Sequence, residues 1–162
     1  MQVTVLAGGI GAARFLRGLV SATGSTHDKP SVTVIGNTGD DIRLFGLQIC
    51  PDLDSVMYTL GGGADEERGW GRANESFTVL EELRGYGAKP DWFGLGDRDI
   101  ATHLVRTQAL DAGYRLSTVT AGLCERWQLP VSLIPMTDDR VETHVVIDDP
   151  DTGQPAAIHF QE

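Results

Sequence analysis

The segment VTVLAGGIGAARFLRGLVSA, residues 3–22, decides the fold that the sequence predicts. A short apolar run ends in Gly8 and Gly9, and the stretch after it carries apolar residues suited to one helical face. An apolar run without alternation is typical of a strand buried on both faces. A second such run, SVTVIGN at 31–37, follows a loop predicted over 24–30. The order strand, glycine turn, helix, strand predicts a right-handed parallel crossover.

The pattern continues as further helices and strands. Helices are predicted from Asp52 or Asp54 as N-cap to the glycines at 61–63, and over 75–87, 97–113 and 116–128, the last with Ser117 as its N-cap. Strands are predicted over 91–96 and 130–136, and a hairpin over 141–148 and 155–161 around the turn sequence DPDTGQ. We therefore expect an α/β, Rossmann-like fold, with a mostly parallel sheet, flanking helices and a C-terminal β-hairpin.

Composition narrows the function classes. Apolar residues make up 41% of the 162 residues and charged residues 22%, as in a soluble globular domain. The net charge of −10 argues against nucleic acid and against an anionic membrane surface. There is no signal peptide pattern and no apolar run near the roughly 18 residues of a membrane span, so we expect a cytoplasmic protein. Cys50 and Cys124 form no CxxC pair, which favours free thiols.

The first candidate site is the glycine turn AGGIGAAR, residues 7–14, with Gly8, Gly9 and Gly11. A turn from a strand into a helix N-terminus can receive a phosphate, because free N–H groups and the helix dipole point at it. Tight-turn packing is the alternative. The spacing departs from GxGxxG and lacks the lysine of a Walker A loop, although an NAD site is not excluded by this turn alone.

The second candidate is the acidic stretch GNTGDDIRLFGLQICPDLD, residues 36–54, with Asp40, Asp41, Asp52 and Asp54. Mg²⁺ prefers oxygen ligands and often takes one or two carboxylates together with substrate phosphates and waters. Asp40 follows a predicted parallel strand, at the edge where open α/β sheets bind ligands. Turn formation and helix capping are the alternative roles for these aspartates.

The third candidate is a polar helix face within GLGDRDIATHLVR, residues 94–106. Asp99, Thr102, His103 and Arg106 follow i, i+3, i+4 and i+7 spacing and share one face, whereas Ile100, Leu104 and Val105 point elsewhere and can pack. Arg98 and Arg106 are fork donors suited to phosphate. The alternative is an ordinary solvated face. Trp70 in the GWG loop, near Asn74, either stacks on a planar ring or fills a core gap.

Taken together, the motifs GG-x-G, NTGDD, PDLD-x-x-x-YTL, GWG, LGDRD-x-ATH-x-x-R-T and IPMTDD resemble the 2-phospho-L-lactate transferase family, whose actinobacterial members act as phosphoenolpyruvate transferases. The resemblance runs from Val3 to Gln161. It implies that residues 1–162 form a single α/β nucleotide-binding domain, the N-terminal part of a longer transferase. Ile10 and Ala12 depart from the family, which often has Thr and Gly there.

The resemblance also implies a chemistry. A magnesium-dependent transfer moves a phosphoenolpyruvate or phospholactate moiety from a guanosine diphosphate ester to the terminal ribityl hydroxyl of the deazaflavin FO, with GMP as the leaving group. A homodimer is left open. The implied catalytic residues are Asp40, Asp54, Arg98 and Arg106, with Asp40 and Asp54 as metal ligands and Asp41 or Asp52 as a base. The implied substrate-binding residues are Gly8, Gly9, Gly11, Asn37, Thr38, Asp41, Asp52, Trp70, Asn74, Asp97, Asp99 and His103.

Two other functions compete with this one. A non-enzymatic nucleotide-sugar-binding regulatory protein could share the fold and the GG-x-G start, but lacks the PDLD and LGDRD-x-ATH motifs. An NAD-linked oxidoreductase is disfavoured by the broken glycine spacing. The sequence leaves open which of the two donor esters is used.

Overall fold

The computed structural model describes residues 2–23, 31–150 and 152–161, so the predicted loop over 24–30 lies outside the described residues. The helices and strands, in chain order, are β1 Gln2–Ala7, α1 Gly9–Thr23, β2 Ser31–Gly36, β3 Ile42–Leu44, β4 Leu47–Ile49, α2 Pro51–Leu60, α3 Thr78–Gly85, α4 Asp97–Asp111, α5 Leu116–Trp127, β5 Ser132–Pro135, β6 His144–Asp148 and β7 Pro155–His159. None of the helices in these ranges combines the length and apolar character needed to cross a membrane.

The central sheet is parallel and has the strand order β1-β2-β5. Val5 pairs with Val34, and Val34 pairs with Leu133 on the next strand. Helix α1 connects the first two strands, as the glycine turn predicts. The antiparallel hairpin β6-β7 confirms the predicted C-terminal hairpin. The chain is therefore an α/β protein with a parallel sheet, flanking helices and a terminal hairpin.

The main core lies against one face of this sheet. Val34 and Leu133 pack with Leu16 of α1, Val56 of α2 and Leu116 of α5. Exposure along β1 alternates, and Leu6 on the opposite face is 78% exposed. The prediction that the first strand is buried on both faces is therefore wrong, because the packed helices α1, α2 and α5 meet the sheet from one side.

Two short segments differ from the sequence prediction. Residues 91–96 form no strand, and two glycines in six residues disfavour extended pairing. Conversely, β3 and β4 form an unpredicted antiparallel hairpin. Its turn uses Phe45 and Gly46 with φ of 52° and 78°, a left-handed pair suited to a tight hairpin. An Asn-Gly pair would have signalled that turn, whereas Phe-Gly does not.

Two helices have N-caps that differ from those the sequence predicts. Helix α2 begins at Pro51 with Cys50 as N-cap, so Asp52 and Asp54 lie in its first turn and neither is the cap. Carboxylates there still interact favourably with the helix dipole. Ser117 is likewise not an N-cap, because α5 begins at Leu116.

Helix α4 buries a polar face and exposes part of its apolar face. Thr102, His103 and Arg106 are buried, whereas Leu104 is 45% and Val105 is 55% exposed. The predicted shared polar face is confirmed, but the expectation that Leu104 and Val105 pack is wrong; Ile100 does pack, against a small cluster that includes Leu95. The charge of Arg106 is tolerated inside because it is paired with Asp54 of α2 and hydrogen-bonded to His103.

Candidate functional site

The glycine turn lies beside a carboxylate. Gly8 follows the last residue of β1, and Gly9, with φ of 69°, begins α1. A Cβ added at Gly8 would lie 3.2 Å from Oδ2 of Asp52 and 3.4 Å from Cβ of Asn37, so glycine is needed for this close approach. Gly11 lies one turn into the helix, with no atom within 4 Å of a Cβ added there. The turn and part of the acidic stretch are therefore neighbours.

Asn37, Asp40, Asp41 and Asp52 form what we call the acidic edge, at the carboxyl end of β2 and the start of α2. Nδ2 of Asn37 donates a hydrogen bond to Oδ2 of Asp52 at 2.8 Å, and its Oδ1 accepts one from the N–H of Gly39 at 3.0 Å. Burial and the charge of Asp52 raise the pKa of Asp40. Like charges therefore face each other at this edge, as in a site that attracts a cation.

Asp41 is the most buried member of the acidic edge, 5% exposed against 7% for Asp52. Burial raises the pKa of Asp41 to about 7, against the opposing effects of the Cys50 thiol and the Arg106 charge. Nε2 of His159 donates to the backbone carbonyl of Asp41 at 3.1 Å, since Nδ1 of His159 accepts from the N–H of Gln161. This contact fixes the end of β7 against the acidic edge, a role for His159 that the sequence did not reveal.

Asp54, Asp99, His103 and Arg106 form a second group, the charged floor, where α2 meets α4. One guanidinium nitrogen of Arg106 donates to Oδ1 of Asp54. The other donates to Nδ1 of His103 at 3.1 Å and to the carbonyl of Gln48 at 3.3 Å. Arg106 is 1% exposed, so its charge is compensated by protein groups rather than by water.

Burial sets the ionisation of this floor. Burial alone would lower the pKa of Arg106, but Asp54 together with the nearby Cys50 and Tyr58 outweighs burial and raises the pKa. Burial lowers the pKa of His103 to about 4, with Arg106 adding to the effect and Asp54 opposing it. Burial raises the pKa of Asp99 to about 6, while the nearby Tyr58 hydroxyl opposes it. At neutral pH the floor therefore has a charged arginine, a neutral imidazole and an ionised Asp99.

A cavity of about 390 Å³ lies above the charged floor. We call it the aromatic cavity, because Tyr58, Trp70, Trp92 and Phe93 form much of its wall. Its polar base includes Asp54, Asp99 and His103. The other lining residues are Ile10, Ile49, Pro51, Ser55, Gly71, Gly94, Leu95 and Gln161. A volume of this size suits a drug-sized ligand with a planar ring.

Trp70 answers the question that the sequence left open. It is 43% exposed and lines the cavity, so it does not fill a core gap. The guanidinium of Arg68 lies 5.1 Å from the centre of its ring, and Phe77 meets it edge-on. A Cβ added at Gly94 would lie 2.8 Å from the Trp70 ring, so glycine is required beside it. The indole is thus held in place and available for stacking.

Other predicted site residues lie elsewhere. Asp97 accepts hydrogen bonds from the Ser76 hydroxyl and from the backbone N–H groups of Thr78 and Val79, so it caps α3. Arg98 and Asn74 are exposed, and neither lines the cavity. Thr38 is 1% exposed beside the acidic edge. The structure therefore brings Asp54, Trp70, Asp99 and His103 together, and leaves Asp97, Arg98 and Asn74 outside.

Three wall residues, Tyr58, Trp92 and Phe93, were not among the predicted site residues. Trp92 and Phe93 pack edge-on, with ring centres 5.4 Å apart. Two consecutive aromatics just before Gly94 were a signal that the sequence offered, but the strand predicted there concealed it. Tyr58 lies one helical turn after Asp54, on the same face of α2.

The donor set is compatible with Mg²⁺ completed by a substrate. Within the described ranges, no three His, Cys, Asp or Glu side chains are grouped as a metal site. However, Mg²⁺ often takes only one or two carboxylates plus phosphate oxygens and waters. Oδ2 of Asp54 and Oδ1 of Asp41 are buried without a hydrogen-bond partner in the same ranges. A cation would also relieve the repulsion between Asp40 and Asp52.

Several phosphoenolpyruvate transferases align with this chain over its whole length. The phosphoenolpyruvate transferase of Thermobifida fusca is 65% identical over 166 residues, covering all of this chain and 51% of the relative. That of Streptomyces griseus is 65% identical over 162 residues, covering all of this chain and 49% of the relative. That of Mycolicibacterium smegmatis is 58% identical, again covering all of this chain and 51% of the relative. The chain thus spans about half the length of these relatives.

Solved structures support the fold alone. A Bacillus halodurans protein of the UPF0052 family aligns with a TM-score of 0.53 at 17% identity, over 96% of this chain and 44% of that one. The family model described as 2-phospho-L-lactate transferase CofD matches residues 3–162. With identity this high to the named relatives and a match over nearly its full length, the chain belongs to the 2-phospho-L-lactate transferase CofD family.

Proposed function

We propose that this chain provides the acceptor site and the metal-binding edge of a magnesium-dependent transferase. The transferred group is phosphoenolpyruvate or 2-phospho-L-lactate, the donor is its guanosine diphosphate ester, and the acceptor is the ribityl hydroxyl of the deazaflavin FO. Family membership supports the reaction type. The observation that carries the proposal is the aromatic cavity, whose base holds carboxylate oxygens of Asp54 and Asp99 that have no hydrogen-bond partner within the described part of the chain.

The cavity fits the acceptor. Trp70 and Trp92 offer aromatic surface for a tricyclic ring, and aromatic pairs favour offset or edge contacts. A polyol chain extending from the ring would meet Asp54 and Asp99, whose free oxygens accept hydrogen bonds from hydroxyl groups. An apolar wall over a polar base is thus matched to a flat ring that carries a hydroxylated chain.

The donor phosphates would lie between the glycine turn and the acidic edge. The N-terminus of α1 supplies N–H groups and a favourable dipole. The Asp52 carboxylate beside Gly8 would repel a bare phosphate, so a cation is required between them. Asp40 and Asp54 would hold Mg²⁺, which when bound neutralises charge on the phosphoryl and leaving oxygens.

Asp99 is the best-placed base for the acceptor hydroxyl. Asp41 is 5% exposed and lines no part of the cavity, and Asp52 is bonded to Asn37, so neither suits this role as well. Asp54 is paired with Arg106. In the transfer, the hydroxyl oxygen forms a bond to phosphorus, the bond from phosphorus to the GMP oxygen breaks, and Asp99 takes the hydroxyl proton.

The two arginines take different roles. Arg106 is buried and bonds Asp54 and His103, so it positions these groups rather than contacting substrate. Arg98 is exposed at the start of α4 and lies outside the cavity lining, and its guanidinium is proposed to bind a donor phosphate.

The direct test is product formation. The chain is incubated with FO, the guanosine diphosphate ester and Mg²⁺, and GMP is measured by ion-exchange chromatography. We expect GMP to form in step with FO consumption and to stop when the metal is chelated. If FO binds but no GMP forms, then the acceptor site stands and the claim that this chain carries out the transfer is wrong.

A further inference from the structure

We propose that His103 is a fixed hydrogen-bond donor in the aromatic cavity, with its proton on Nε2, and that it binds a hydroxyl of the acceptor's polyol chain. The identity of the ligand rests on the proposed function. The position of the proton rests only on contacts within the protein. His103 is therefore a positioning residue, and the hydrogen bond from Arg106 to its Nδ1 sets its tautomer.

The tautomer follows from the chemistry of arginine. A guanidinium nitrogen of Arg106 lies 3.1 Å from Nδ1 of His103. Arginine carries only donors and stays protonated, so Nδ1 must accept and cannot carry a proton. An imidazole whose Nδ1 is unprotonated carries its hydrogen on Nε2. The ring must then be neutral, because the imidazolium form has a proton on both nitrogens.

The surroundings hold the ring in this state. His103 is 3% exposed, and its own carbonyl accepts a hydrogen bond from the Thr107 hydroxyl at 2.7 Å. Oδ2 of Asp54 lies 3.8 Å from Nδ1, too far to compete as a hydrogen-bond partner. Among residues 2–23, 31–150 and 152–161, no protein atom accepts a hydrogen bond from Nε2. This N–H is thus available to a ligand in the cavity that His103 lines.

A hydroxyl group matches the atoms around His103. Oδ2 of Asp54 and Oδ1 of Asp99 are buried acceptors without a partner among the described residues. A ligand carbonyl could satisfy only the donor, and a ligand amine only the carboxylates. A hydroxyl can accept from His103 and donate to one carboxylate at the same time. Hydroxyls of the polyol chain therefore fit this corner better than an edge of the ring does.

The tautomer is tested by ¹⁵N-detected NMR of the imidazole in the wild-type chain at pH 7. We expect the signals of a neutral ring with the proton on Nε2. Signals of an imidazolium, or of a proton on Nδ1, would overturn the assignment. The His103→Phe variant identifies which resonances belong to this ring.

The ligand contact is tested with two substitutions, each of which keeps a polar group near only one of the two imidazole nitrogens. His103→Asn keeps an acceptor near Nδ1 but has no group at Nε2, whereas His103→Gln can place an amide N–H near Nε2. We expect FO affinity to fall about tenfold in His103→Asn, the loss of one hydrogen bond, and to stay within about threefold in His103→Gln. A deazaflavin ring without the ribityl chain should bind all three proteins equally.

The outcomes separate a positioning role from a structural one. Equal weakening in both variants, or equal weakening for both ligands, would show that His103 only supports the fold. Unchanged FO affinity in His103→Asn would show that no hydroxyl is bound. If the wild-type chain binds neither ligand, the proposed acceptor site is wrong, while the NMR result still decides the tautomer.

Discussion

The acidic edge and the charged floor are both built from aspartates, but they are completed in opposite ways. At the edge, Asp40 faces Asp52, and the like charge helps to raise the pKa of Asp40. In the floor, Asp54 is paired with Arg106, which is 1% exposed. Among the residues that the structure describes, no arginine or lysine forms an ion pair with a carboxylate of the acidic edge, whereas Arg106 forms one with Asp54 in the charged floor.

This difference distinguishes a site that recruits a cation from a site with a preoriented carboxylate. Sequence spacing alone does not distinguish the two. A group of carboxylates that no arginine or lysine neutralises can recruit a cation, and its geometry can adapt to that cation. A carboxylate fixed by a buried arginine has a defined orientation before any ligand arrives. Asp54 belongs to the charged floor but lies two residues after Asp52 of the acidic edge, and its Oδ2 has no hydrogen-bond partner among the described residues.

The largest expected effect comes from breaking the buried pair. Asp54→Asn leaves the Arg106 charge buried without compensation, and we expect a loss of about 3–5 kcal/mol in the free energy of unfolding. Asp52→Asn at the edge should change it by less than about 1 kcal/mol, because that site loses repulsion as well as a hydrogen bond. Urea denaturation of the two variants compares the regions directly.

A double variant controls for this interpretation. Asp54→Leu combined with Arg106→Met removes both charges and should recover part of the stability that Asp54→Asn loses. Equal stability of Asp54→Asn and Asp52→Asn would remove the distinction between the regions. Any loss of turnover in Asp54→Asn must be corrected for the folded fraction before it is attributed to a metal.

The next effect concerns pH and Asp99. Its pKa in the folded chain is raised by burial to about 6, from 3.8. The folded state thus binds the proton more tightly than the unfolded state, and the stability that Asp99 contributes is lost as the pH rises from about 4 to 6. Asp99→Asn should come closest to the wild type below about pH 4 and exceed its stability by roughly 1–3 kcal/mol at pH 8.

Denaturation at the two pH values measures this difference. His103 acts in the opposite direction, because its pKa is lowered to about 4 and its contribution to stability rises with pH. The comparison between Asp99→Asn and wild type cancels that term. A variant less stable than wild type at pH 8 would show that ionised Asp99 is held by a favourable partner.

The smallest effect is expected at the acidic edge. Mg²⁺ at ten times its dissociation constant should stabilise the chain by about 1.4 kcal/mol, and Asp40→Asn should reduce this stabilisation. Asp139→Asn, an exposed aspartate outside both regions, is the matched control. Thermal unfolding with and without Mg²⁺ checks the prediction. Equal stabilisation of both variants would show that Asp40 is no ligand.

The sequence predicted those parts of the molecule that depend on local pattern. The strand–turn–helix unit at 3–22 and the shared polar face of α4 follow from spacing, and both are confirmed. Spacing did not show that this polar face points into the protein, because the burial of Arg106 depends on its partner Asp54, which is 52 residues away in the sequence. The likeness of the motifs to a known family, rather than periodicity, predicted that these distant residues share a site.

The wall of the cavity was harder to predict for the same reason. Trp92 and Phe93 lie in a segment that forms no strand. Tyr58 lies on α2, a helix that buries both aspartates and apolar residues. Asp97, a motif residue two positions before Asp99, lies outside the cavity and caps α3. Two aspartates two positions apart on a helix point to different sides, which the motif itself does not distinguish.

The central claim, that the aromatic cavity is the acceptor-ring site, is tested most directly by titrating FO into the chain and following its fluorescence. We expect Trp70→Ala and Trp92→Ala each to weaken binding by about tenfold, through lost stacking. Tyr86→Ala, at a residue that is 86% exposed and outside the cavity, should leave binding unchanged. Binding that is equal in all of these variants would contradict the account.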